Sequence, residues 1–183
     1  MSTHPIVESG MTFGPFAEGT CFHIEKSACY TAIQDGVPMV EFLLLREQKD
    51  GPTAWIVEAK SSSPRPASEP SFFDYIDEIR RKLTHGFLLS IATHLGRHAA
   101  ADTELPAHIK AVDLPKLGFR FILVINGHQK DWLPPLKDAL SLALKPVVKT
   151  WALPPTAVVV MNHQMAQERG LILPPMAAPP ASP

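Results

Sequence analysis

The stretch from Pro38 to Lys60 constrains the fold more than any other. Two runs of strand-forming residues, PMVEFLLLR (38–46) and TAWIVEAK (53–60), flank EQKDGP, in which Asp50-Gly51 followed by a proline is a turn signal. The pattern predicts a β-hairpin. Side chains alternate between the faces of a strand, so Ile56, Glu58 and Lys60 share one face, as do Glu41, Leu43 and Leu45 on the partner run. A two-residue turn on Asp50-Gly51 would bring Glu41 opposite Lys60, an ion pair contributing about 0.2–1 kcal/mol. A longer connection centred on Lys49-Asp50 would instead set Glu41 against Glu58, and Pro52, which cannot donate to a ladder, favours it. Two opposed carboxylates among apolar neighbours repel and lose hydration unless they share a cation. In either register Glu41, Glu58 and Lys60 converge on one face.

The surrounding segments suggest what packs on this hairpin. Upstream, TCFHIEKSACYTAIQDG (20–36) reads as a short strand running into a helix that stops at Gly36. Downstream of the linker SSSPRPASEP, Ser71 with Asp74 three residues on forms a capping-box signal, and Phe72, Ile76, Ile79, Leu83, Phe87, Ile91 and Leu95 make an apolar stripe. A long amphipathic helix over 72–96 follows, its polar face of Asp74, Glu78, Arg81, Lys82 and His85 expected in solvent. GFRFILVING from Gly118 predicts a buried strand, WLPPLKDALSLAL a helix interrupted at Pro146, and TAVVVMNH a last strand. The order is α/β: a mixed central sheet flanked by helices, in one domain over 1–173. The proline-rich segment 174–183 has no apolar period and is expected to be a disordered tail.

A chain of 183 residues, 45% hydrophobic and 19% charged, is long enough for one sizeable core. Its net charge of −1 offers no global basic field, so a nucleic-acid partner would need a local patch. Arg80, Arg81 and Lys82 form the densest basic cluster, readable as a backbone-tracking surface or as a helix face paired with Asp77 and Glu78. Only two cysteines occur, Cys21 and Cys29, and the first residues lack signal-peptide character; a reducing, cytoplasmic setting is expected. No apolar run approaches the roughly 18 residues that cross a bilayer. Eight histidines include no zinc-type spacing; His94 and His98 lie four apart without an evident third ligand. Phosphate-cradling glycine loops are absent. Ser61 to Ser63 read as the exit of the strand into the proline linker, with hydroxyl contact to a phosphate as the alternative, and Asn126 and His128 as ordinary loop polarity, with a place at the border of the site as the alternative.

Opposed acids beside a lysine suit Mg²⁺, a hard cation that needs only one or two protein carboxylates and keeps positions for water and phosphate oxygens. A nearby ammonium can orient the attacking water or offset charge developing on phosphate. An acid in one strand, VPMVEFLLLR, then (D/E)-x-K in the next, WIVEAKSS, followed by a long helix and another strand, resembles the PD-(D/E)xK phosphodiesterase superfamily, the restriction-endonuclease-like nucleases. As an order of elements the resemblance runs from about Phe22 to His163; at residue level it rests on three positions. It implies a restriction-endonuclease-like fold, Glu41 and Glu58 as metal ligands, Lys60 as the catalytic lysine, and Mg²⁺, with Mn²⁺ as a substitute. Many members carry a further acid near the first helix, and Glu25 in FHIEKS is the candidate for that position. The chain departs from the motif in having glutamate where aspartate is usual and no proline immediately before it. The expected activity is metal-dependent hydrolysis of nucleic acid, DNA ahead of RNA, with a homodimer or a second protein compatible with it. The alternative is a nuclease-like module without catalysis, binding nucleic acid or a partner protein, in which the same residues form a structural ion cluster.

Overall fold

The computed structural model describes residues 4–173; the tail expected at 174–183 lies outside the described residues. Its centre is the predicted hairpin. Strand β4 (Phe42–Gln48) and strand β5 (Gly51–Lys60) pair antiparallel with Gln48 opposite Gly51 and Phe42 opposite Val57. The connection is thus Lys49-Asp50, the register expected for the longer loop, although it is only two residues long. Gly51 takes φ +114°, a conformation that L side chains rarely adopt, which lets so short a connection close. Pro52 pairs only with Glu47, because the neighbour on its other side begins at Thr53, so its missing N–H interrupts no ladder.

Around this pair the sheet has five strands. A short β3 (Cys21–Phe22) precedes β4, and β6 (Gly118–Ile125) and β7 (Val158–Asn162) follow β5, in the spatial order β3-β4-β5-β6-β7. The first three are antiparallel, whereas β5, β6 and β7 are parallel. Parallel neighbours require crossovers, and these are α2 (Ser71–His94) and α5 (Leu133–Thr150). Both pack on the same face, where Leu43, Leu45, Ile56, Phe121 and Leu123 meet Ile79, Leu83, Phe87, Leu136 and Leu140.

The opposite face carries a second apolar layer that the sequence pattern did not announce. Phe42, Leu44, Trp55, Val57, Ile122 and Val124 are covered by a hairpin of β1 (Ile6–Glu8) and β2 (Met11–Phe13), by α6 (His163–Glu168), and by Leu171 and Ile172. Burial on both faces explains why the central strands read as nearly continuous apolar runs. The remaining short helices are α1 (Ala28–Thr31), α3 (Ala101–Glu104) and α4 (Ala107–Lys110).

Three local expectations are corrected. The capping box at Ser71 does not form: the N-cap is Pro70, and the Ser71 hydroxyl donates back to the Ser68 carbonyl. Helix α5 continues through Pro146 to Thr150. The polar face of α2 is not uniformly solvated, and Gly86 shows why: a Cβ there would run into the Val40 side chain and press on Ile56, so its absence lets the helix lie close against the hairpin.

Candidate functional site

Pairing of β4 ends with Phe42 opposite Val57, and Glu41, one residue further out, lies at the end of β5 that carries Glu58 and Lys60, near enough to Glu58 to feel its charge. Glu41 is held there by its N–H, which donates to the Val57 carbonyl at 3.1 Å, and by its carbonyl, which accepts from the Glu25 N–H at 3.4 Å. Glu25 lies in a 3₁₀ turn, Ile24–Lys26, that leads into α1. The four residues singled out from sequence therefore stand at one end of the hairpin. Glu41 is 5% exposed and Glu58 0%.

Two ammonium groups reach Glu58 Oε1. Lys82 donates to it at 2.8 Å from α2, while Lys60 Nζ lies 3.4 Å away and makes its closer contact, 2.7 Å, with Glu78 Oε1. Lys82, expected in solvent, is thus the residue most directly bound to the buried acid. Tyr75, Glu78 and Lys82 follow an i, i+3, i+7 spacing, which turns all three to one side of the helix. Arg80 stays outside, paired with Asp77 at 2.7 Å, and Arg81 is exposed, so the basic cluster divides between interior and surface.

Both lysines address the same oxygen, and Glu58 Oε2 has no hydrogen-bond partner; nor has Glu41 Oε2. Buried acceptors left in this state carry a desolvation penalty of about 1–3 kcal/mol each, more when charged. Burial accordingly raises the Glu41 carboxyl to about 8, with further contributions from the negative charges of Glu58, Glu25 and Glu8, against the opposing pull of Lys82. Burial also raises Glu58 to about 7, opposed by Lys82 and Lys60. Burial works against the Lys82 charge, but the Glu58 carboxylate outweighs it and moves the ammonium above its ordinary value. The Tyr75 hydroxyl, buried without a partner, is pushed upward by desolvation and by Glu58 and Glu78. Unpartnered oxygens on two buried acids are donors of the kind a hard divalent cation accepts, so Glu41 and Glu58 are residues that could hold one.

Next to this pair is a second donor group. Glu8 at the end of β1, His23 just after β3, and Glu25 offer ligand atoms that all lie within 4.8 Å of one another. His23 Nε2 is buried without a hydrogen-bond partner, and desolvation with the nearby Lys26 charge holds the imidazole below its ordinary value, against the opposing pull of Glu25 and Glu8. Sequence reasoning missed Glu8, His23, Lys82, Glu78 and Tyr75. A signal existed for some of them: the close spacing of His23 and Glu25, and the helical spacing of the α2 residues. Nothing local marks Glu8.

The other residues weighed from sequence lie at the rim or elsewhere. The Ser63 hydroxyl and His128 Nε2 are 3.2 Å apart, and Asn162 Nδ2 donates to the His128 carbonyl at 2.9 Å. Asn126 Nδ2 donates to the Ser9 carbonyl at 3.0 Å, tying the end of β6 to the N-terminal hairpin. Ser61 and Ser62 are exposed. His94 and His98 join no group of three metal-ligating side chains among the described residues. Both cysteines are free thiols, Cys29 buried and Cys21 partly so. A cleft of about 560 Å³ lies along β7, lined by Arg120, Lys130, Lys137 and Arg169 among others, and shares no residue with the acid cluster. Among the described residues no helix is long and apolar enough to cross a membrane. Compared with protein-family models, curated proteins and solved structures, the chain finds no match in any of the three.

Proposed function

We propose that this protein is a divalent-metal-dependent nuclease of restriction-endonuclease-like type that hydrolyses phosphodiester bonds, with DNA favoured over RNA and Glu41, Glu58, Lys60 and Glu25 as its catalytic residues. One observation carries the reading: two neighbouring, buried carboxylates, each with an unpartnered oxygen, beside two lysine ammonium groups. Glu41 and Glu58 would hold Mg²⁺ or Mn²⁺. When bound, such an ion supplies Lewis-acid stabilisation of charge developing on phosphate oxygens. Lys82 fixes the Glu58 carboxylate through Oε1 and leaves Oε2 for the ion. Lys60, partly exposed and steadied by Glu78, is an ammonium able to orient the attacking water by donating to it and to offset charge developing on the phosphate. Glu25 orients Glu41 through its backbone N–H and adds a carboxylate at the open side.

The test is cleavage of plasmid and of single- and double-stranded oligonucleotides in Mg²⁺ or Mn²⁺. Activity should vanish with a chelator and fall on the order of a hundredfold or more in Glu58→Gln and Lys60→Ala with the fold retained. A second reading has its own support, since the Lys82–Glu58–Lys60–Glu78 chain of ion pairs would also serve a non-catalytic, nucleic-acid or protein-binding module. Under that reading every nucleic acid stays intact and the same substitutions alter only the melting temperature.

A further inference from the structure

We propose that Glu8, His23 and Glu25 form a separate cation site, selective for a first-row transition ion of the zinc class over Mg²⁺, beside the Glu41–Glu58 pair. The three residues come from three elements: the N-terminal hairpin, the segment after β3 and the 3₁₀ turn. Their donor atoms nevertheless fall within 4.8 Å of one another, the separation at which side chains converge on one ion. Two further observations point to a ligand. His23 Nε2 is a buried imidazole nitrogen with no hydrogen-bond partner. Glu41, 5% exposed and with Oε2 unpartnered, adjoins the group through the Glu25 N–H. Among the described residues the only ammonium paired with the three is that of Lys26, exposed and 3.7 Å from Glu25.

Donor chemistry sets the selectivity. Mg²⁺ prefers oxygen in octahedral geometry, whereas one imidazole with two carboxylates is a set that Zn²⁺ and Co²⁺ accept, with a further position left open. All three side chains are part-exposed, so an ion can enter from solvent. The proposal goes beyond the nuclease reading and stands without it, because it concerns binding rather than turnover.

The experiment is titration of the tag-free, full-length chain with Co²⁺, read by d–d absorption, and with Zn²⁺, read by calorimetry and by the rise in melting temperature. One His23-dependent ion per chain should bind with a saturating visible band. Affinity should fall tenfold or more in His23→Ala and in Glu8→Gln, both folded by circular dichroism, and stay within about threefold of wild type in Glu58→Gln, and a hundredfold excess of Mg²⁺ should leave the band in place. Co²⁺ binding unchanged in both His23→Ala and Glu8→Gln overturns the site. Equal loss in Glu58→Gln overturns its separateness, and displacement by Mg²⁺ overturns its selectivity. A chain that cleaves no nucleic acid yet shows the His23-dependent band removes the nuclease reading and leaves this one standing.

Discussion

The helix-covered half of the acid cluster and its hairpin-covered half solve the same electrostatic problem differently. Under α2, Glu58 is fully buried and two ammonium groups from the chain itself lie within 3.4 Å of its Oε1. Beneath the N-terminal hairpin, Glu8, His23 and Glu25 are only part-buried and have one loose, exposed lysine between them. Glu41 stands at the junction, nearly as buried as Glu58 but with no ammonium within ion-pair distance among the described residues. The difference teaches where charge must come from outside. A carboxylate that the fold has already paired can be buried completely, and one that it has not either stays near water or takes a proton.

Removing the built-in cation should have the largest effect. Lys82→Met keeps the aliphatic stem and deletes the charge bound to Glu58, so unfolding in urea at pH 8 should show a loss of about 3–5 kcal/mol. At pH 6 the loss should shrink, because Glu58 can then escape by protonation. Equal, negligible losses at both values would erase the distinction between the halves.

Glu41→Gln should act in the opposite sense. A carboxyl raised to about 8 in the fold, against an ordinary 4.5, contributes stability that is fully present below 4.5 and disappears as the pH climbs through 8. With a chelator present, the wild-type melting temperature should therefore decline from pH 5 to pH 8. The amide variant should flatten that decline and gain on the order of 1–3 kcal/mol at pH 8. A steeper decline in the variant would mean that Glu41 is ionised and satisfied in the fold.

Gly86→Ala tests the approach of α2. The added methyl meets Val40, a stiff, fully buried side chain, and overpacking of this kind costs about 1–3 kcal/mol, offset by up to about 1 kcal/mol of helix propensity. Lifting the helix should weaken the Lys82–Glu58 contact and leave Glu8, His23 and Glu25 in place, which nuclear magnetic resonance of the His23 ring would report. The smallest change is expected for Glu8→Gln: under about 1 kcal/mol without metal, because a part-exposed acid is screened.

Much of the sheet's helix-covered side was legible because its signals are local and periodic. The hairpin, the stripe from Phe72, buried as far as Ile91 although the expected Leu95 is exposed, and the strand from Gly118 each span enough residues to display a period, and Pro52 pointed to the correct register. The other face was not legible, since β1 and β2 are three residues each and α6 six, too short for any period to emerge. Lys82 was misread for a different reason: on a helix, a lysine facing water and a lysine facing a buried glutamate look alike until the partner strand is placed. Helix α5 passes Pro146 because the missing N–H frees the carbonyl of Leu142, a residue 70% exposed, where water can take its place.

Glu8 belongs to the first strand of the chain and reaches a cluster otherwise built from residues 23 to 82. Whatever occupies that cluster therefore also fastens the leading hairpin onto the sheet, and the docked hairpin in turn strengthens the grip on the occupant. Occupancy and the protease resistance of the hairpin from Ile6 to Phe13 should then rise and fall together, as two readings of a single equilibrium.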